Sequence, residues 1–299
     1  MRRELACSNG LLHCVRFFPM RLKITHHTKY RYAGAVTNNA NELRVVPVRS
    51  PWQRVVHNLI RIMPVARLRT FVDFHRNTVS YFEVEEPHIA LLIDVQSVVE
   101  TRDRYGEGEP LDVSLDELKA EAREEALEPF LKPHGMVQIP PELWREAVDL
   151  WADAGGVFEL ARAVMFHLYA TCEYVSGVTT VNTDSAEFQR GRRGVCQDFA
   201  HLMLALCRAV QLPARYVSGY LFDAKRGEVR GAHATHAWCE VWVPGRGWFG
   251  MDPTNNCLVD ERYVVVAVGR DYQDVAPVHG TFRGGGERTM EVMVHLERA

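Results

Sequence analysis

A chain of 299 residues with 47% apolar content is long enough to bury one large core or two moderate ones. Its formal net charge of −3 supplies no basic excess for nucleic acid, and no uninterrupted apolar run approaches the ~20 residues of a membrane-spanning helix. The seven cysteines (Cys7, Cys14, Cys172, Cys196, Cys207, Cys239 and Cys257) are odd in number and irregularly spaced, which argues against a disulfide framework and for a reducing, cytoplasmic setting.

Residues 1–19 open with Arg2-Arg3 and contain Leu11-Leu12 and Phe17-Phe18, a faint echo of a secretion signal. Glu4, Asn9, His13 and Arg16 interrupt each hydrophobic stretch and no small-residue cleavage site follows, so an unstructured extension is expected. From Leu22 the period is two. Leu22, Ile24, His26, Thr28, Tyr30 and Tyr32 share one face of a strand, and Lys23, Thr25, His27, Lys29 and Arg31 the other. Further strands are expected over 43–47, 57–62, 71–75, 79–84 and 89–101, with Arg76-Asn77 as a tight turn. Strands at this spacing predict an antiparallel β-sandwich, a β-rich unit over residues 20–112. His26 and His27 point to opposite faces and read as structural.

The polar run from Asp103 to Pro110 marks a linker, and residues 113–299 form a second unit. Ser114 and Glu117 make a capping box for a helix carrying Leu115, Leu118, Ala122 and Leu127. A second helix is expected over 141–152, stopped by Gly155-Gly156, and a third over 157–172. Strand-like residues 175–182 and a helical turn near 186–189 precede a helix that starts at Cys196 and stops before Pro213. Strands return over 214–243 and 263–268. Arg288 to Leu296 alternates, with no signal for the sheet it joins. Helices followed by an antiparallel sheet give an α+β, papain-like layout.

Gly194-Val195-Cys196-Gln197-Asp198-Phe199-Ala200-His201 puts a thiol at a helix start, ahead of Phe199, Leu202, Met203, Leu206 and Val210 at helical spacing. Unpaired amides and the helix dipole there favour a thiolate and can stabilise an adjacent oxyanion. His236, in Thr235-His236-Ala237-Trp238-Cys239-Glu240-Val241, offers a base, and Asp252, ahead of Pro253, an acid to orient it. These residues stand 40 and 16 positions apart, so the fold must bring them together. A two-residue turn at Pro244-Gly245-Arg246-Gly247 would put His236 and Asp252 on opposite faces. A three-residue turn pairing Pro244 with Trp248, or one bulge, would put them on the same face, as a triad requires.

Taken together, the Cys196 segment, His236 to Val241 and Trp248 to Asn255 resemble the three core motifs of the bacterial transglutaminase-like cysteine hydrolases. Leu22 to about Thr101 resembles their β-rich N-terminal domain, and Val268 to Gly280 a C-terminal signature. The resemblance implies Cys196 as nucleophile, His236 as general base and acid, Asp252 as orienting carboxylate, a peptide or protein substrate, and no cofactor or metal. Hydrolysis of a peptide or isopeptide bond is expected over protein-glutamine transamidation. About 45 residues follow Asn255, too few for the extra β-domains of animal transglutaminases, and no calcium-loop cluster of acidic residues occurs.

Other readings stay in view. A zinc site on Cys196, His236, Cys239 and Cys257 is disfavoured because residues 236 and 239 of a strand point apart. A non-catalytic interaction module is disfavoured because the cysteine and histidine are both present. Cys172, Cys207 and His201 read as structural, and His233 as a loop residue with at most a substrate contact. The Cys196 amide is the natural oxyanion donor, and Gln189, Asn182 and Gln197 are undistinguished candidates for a second.

Overall fold

The computed structural model describes residues 20–105, 112–121, 124–223 and 235–299. The extension expected at 1–19 with Cys7 and Cys14, the 106–110 part of the linker, Ala122 and His233 lie outside the described residues.

Five strands come first: β1 (Met20–Leu43), β2 (Gln53–Met63), β3 (Arg69–Val72), β4 (Thr78–Val84) and β5 (His88–Thr101). Then follow α1 (Leu115–Glu121), α2 (Pro141–Ala152), α3 (Val157–Thr171), β6 (Glu173–Tyr174), α4 (Ser185–Gly191), β7 (Arg193–Gly194) and α5 (Cys196–Ala209). Next are β8 (Ala214–Leu221), β9 (His236–Val243), β10 (Gly247–Asp252), β11 (Cys257–Leu258) and β12 (Tyr263–Gly269). Last come α6 (Tyr272–Val275), β13 (Val278–Gly284) and β14 (Arg288–Arg298).

The α+β architecture is the expected one, and β1 organises its first layer. Leu22, Ile24, His26, Thr28, Tyr30 and Tyr32 alternate inward, as the period-two pattern requires. The first part of β1 lies between β5 and β14, and its second part between β4 and β13. Tyr30, Leu91 and Ile93 from the one part share a cluster with Leu43, Phe82 and Val84 from the other. The sandwich is therefore one sheet folded along β1. The alternating C-terminal strand, whose destination the sequence left open, pairs with β1 from Leu22 opposite Arg298 to Tyr32 opposite Arg288. His26 is a satisfied core residue: its ring nitrogens meet Tyr220 Oη at 2.8 Å and Thr28 Oγ1 at 3.1 Å. His27, on the other face, pairs with Asp94.

The second sheet runs β11-β10-β9-β8-β12 among the described residues. Against it lies α5, buried from Asp198 to Arg208. Apolar residues sit on all its sides, because α2, α3 and α4 enclose what the sheet leaves open. Arg208 is fully buried at the far end, where its guanidinium donates to the carbonyls of Lys132, Ala214 and Arg270. The C-terminal signature acts as a clasp. Asp271 accepts from His134 Nδ1 and from the amides of Met136 and Gln273, and Asp274 binds Arg270 and His75. The Tyr272 amide donates to His201 Nε2, so the signature ties the first sheet, the loop before α2, and α5 together.

Candidate active site

Cys196 is the first residue of α5, with Val195 as the extended N-cap. No side chain caps the helix at Val195. Asp198, in its first turn, reaches back instead to the Val195 amide at 2.8 Å and accepts from Thr179 Oγ1 at 2.7 Å. Burial raises the pKa of this carboxyl. The anion at the helix start thus orders the chain on both sides of the cysteine and fastens loop 175–184 to it. Gln197 Nε2 donates to Val181 O and fastens the same loop a second time. Cys196 itself is part-exposed and borders the core.

The β9–β10 hairpin supplies the partner groups. Val243 pairs with Gly247 and Met251 with Cys239, around a three-residue turn whose Gly245 has φ +64°. The turn has the predicted length, and the closing pair is Val243–Gly247 where Pro244–Trp248 had been expected. Both registers have the same parity, so Asp252 falls beside Trp238 and on the face of His236. His236 Nε2 donates to Asp252 Oδ2 at 2.7 Å, with both side chains fully buried.

Asp252 is held from several directions. Oδ1 accepts from the amides of Thr254 and Asn255, and Oδ2 from Asn255 Nδ2 and Tyr263 Oη. Burial works against its charge, but His236 and these donors prevail and lower its pKa. Burial also opposes a charged His236, yet Asp252 and the nearby Cys196 sulfur outweigh it and push the ring up to about 10. With Nε2–H committed to Asp252, Nδ1 is the ring nitrogen that remains. It has no aligned hydrogen-bond partner among the described residues.

The remaining candidates separate cleanly. Cys239 lies on the opposite face of β9 from His236 and donates to Ala200 O, so the two do not converge on a common ligand. Among the described residues, no three His, Cys, Asp or Glu side chains form a metal-holding group. Burial pushes Cys207 up to about 12, Cys257 up to about 11, and raises Cys172 and Cys239 as well. His201 is buried and neutral, its pKa lowered to about 4. Gln189 is engaged with Glu146 and Gln197 with Val181, while Asn182 is exposed. Asp198, Thr179 and Tyr263 were missed by motif reasoning. Tyr263 gives no linear signal, because it sits 11 residues past Asp252 on a strand beyond the hairpin. A cavity of about 770 Å³ opens elsewhere, lined by Arg44, His75, His134, Arg270 and Asp274 among others. None of the three candidate residues reaches it.

The profile of the transglutaminase-like superfamily matches residues 147–253, and that of the bacterial transglutaminase-like N-terminal region residues 22–100. A relative from Mycobacterium leprae is 32% identical over 284 residues, covering 93% of this chain and 99% of its own. The chain belongs to the transglutaminase-like superfamily. A Mycobacterium tuberculosis relative is 38% identical over 287 residues, with 90% of each chain covered. The fold is shared with a Cytophaga hutchinsonii protein proposed to be a cysteine protease, at a TM-score of 0.76, 23% identity, and coverage of 94% of this chain and 91% of that one. Membership accounts for the two-part layout, a strand-rich sheet ahead of the transglutaminase-like core.

Proposed function

We propose that this chain is a thiol-dependent acyl-transfer enzyme that hydrolyses peptide or isopeptide amide bonds through Cys196, His236 and Asp252. The observation that carries the reading is the fully buried His236–Asp252 bond at 2.7 Å, with the Cys196 sulfur close to the same ring at a helix start. His236 Nδ1 takes the thiol proton first, leaving a Cys196 thiolate beside the imidazolium. Sγ then attacks the amide carbonyl, and the resulting oxyanion lies near the α5 N-terminus, where the Cys196 amide donates to it. The imidazolium returns that proton to the departing nitrogen as the C–N bond breaks, leaving a thioester on Cys196. Water then gives a proton to His236 and its oxygen to the acyl carbon. The free acid departs and the thiol is restored.

Release to water is favoured because Cys196 is part-exposed at the surface of the core, and the Cytophaga hutchinsonii neighbour, proposed to be a protease, shares the fold. Transamidation is the second reading. A protein-glutamine gamma-glutamyltransferase of Pseudomonas aeruginosa is 38% identical over 71 residues, 21% of this chain and 10% of that one. The test incubates the protein with a peptide and isopeptide library, with and without excess primary amine, and scores products by mass. Free acid or shortened peptide that disappears in Cys196→Ala supports hydrolysis. Amine incorporation with negligible free acid overturns it in favour of cross-linking. A library left intact by the wild type removes both readings for these substrates.

A further inference from the structure

Tyr263 Oη donates to Asp252 Oδ2 at 2.8 Å, the same oxygen that accepts from His236. The phenol is buried, edge-on to Trp238 with ring centroids 5.2 Å apart and tilted against His236 at 6.1 Å. Burial first, and the neighbouring Asp252 second, hold its pKa well above the usual tyrosine value, so it stays a donor. A carboxylate gripped at Oδ1 by backbone amides and at Oδ2 by Tyr263 cannot rotate freely about its side-chain torsion. Its direction towards His236 is thereby set.

Tyr263 opens β12, which among the described strands pairs with β8 alone. The other side of β12 is met by the Val48 amide, which donates to Val265 O at 3.0 Å, and by side chains that extend from the first sheet. Gln53 Nε2 donates to Val265 O at 2.7 Å and Gln53 Oε1 accepts from Val265 N at 2.8 Å. Asn77 repeats the arrangement on Val268, with both bonds at 2.8 Å. Each buried amide thus reproduces the donor–acceptor pair of a neighbouring strand, and Thr101 Oγ1 adds a bond to Glu261 O. The Gln53 clip falls where the ladder to β8 slips, between Val265 and Ala267. That is where β12 most needs an outside restraint.

We propose that Tyr263 is a positioning residue for Asp252, and that the N-terminal sheet holds Tyr263 in place through the amide clips of Gln53 and Asn77 on β12. The inference rests on the reading of Cys196, His236 and Asp252 as the reacting groups, and it assigns the N-terminal sheet a part in that chemistry.

The test measures the rate of iodoacetamide labelling at Cys196 near neutral pH, mapped by mass, on the full chain. Tyr263→Phe keeps the ring against Trp238 and removes the donor. Labelling is expected to slow about tenfold, the scale of one hydrogen bond to a charged group. In an Asp252→Asn background the same change should have no further effect, because its route runs through that carboxylate. Equal slowing in both backgrounds reports general loosening and overturns the proposal, as does an unchanged rate. Should Tyr263→Phe fail to fold, p-aminophenylalanine at 263 retains a donor. A near-wild-type rate there supports the proposal and a slow one overturns it. Gln53→Ala with Asn77→Ala should slow labelling in the wild type and add nothing to Tyr263→Phe, and wild-type labelling in that pair overturns the link to the N-terminal sheet. A wild-type Cys196 that labels no faster than Cys257 overturns the underlying reading instead, and this proposal with it.

Discussion

A Cβ placed on Gly194 would stand 2.3 Å from Asp198 Oδ2 and 2.9 Å from the ring of Phe188. The glycine ahead of the cysteine is therefore an approach distance. It lets the carboxylate that binds the Val195 amide and Thr179 tuck under the start of α5. Gly194→Ala is expected to cost about 1–3 kcal/mol of stability, as overpacking does, and to slow Cys196 labelling as the helix start shifts. Urea denaturation and alkylation rates check this together. A stable variant with unaltered labelling would show that the contact is slack.

Alkylation should follow an order set by environment. Cys196 is expected first among the described cysteines, since Cys207 and Cys239 are fully buried and every other described thiol is pushed up by burial. Cys207 and Cys239 should react only on unfolding. Time-resolved adduct mapping checks the order, and early modification of Cys257 or Cys239 ahead of Cys196 contradicts it.

Stability should fall on both sides of neutrality, for opposite reasons. His26 and His201 are lowered from 6.5 to about 4 by burial, so between those values the unfolded chain binds more protons and stability is lost as pH falls. His236 is raised from 6.5 to about 10. Its contribution is complete below 6.5 and is lost as pH rises to about 10. Denaturation midpoints across pH should show both limbs. Asp252→Asn removes the charge that raises His236, so the alkaline limb should flatten while the acid limb remains. An alkaline limb unchanged by that substitution would show that another group carries it.

Arg208→Met tests the far end of α5. It would leave the buried Ala214 carbonyl, and the part-buried carbonyls of Lys132 and Arg270, without this donor. An unpaired buried acceptor costs about 1–3 kcal/mol, so a loss of about 1–3 kcal/mol is expected. Calorimetric unfolding measures it. A loss below about 1 kcal/mol would mean the carbonyls find other partners.

The sequence alone determined what depends on local spacing. Period-two alternation in 22–32 and 89–101 becomes β1 and β5, the Ser114–Glu117 box caps α1, and the helical spacing that follows Cys196 becomes α5. These signals are legible because pleat, cap and helix start are set by neighbours within a few residues. Only the tertiary structure decided how His236 and Asp252 meet, since one residue of hairpin slip reverses every face of β10. It also decided that β14 returns to β1, that Tyr263 completes the surroundings of Asp252, and that Gln53 and Asn77 clip β12 from the first sheet. Those contacts join residues 11 to 276 positions apart. No local pattern encodes them, because buried polar groups take whichever partner the packing brings within reach.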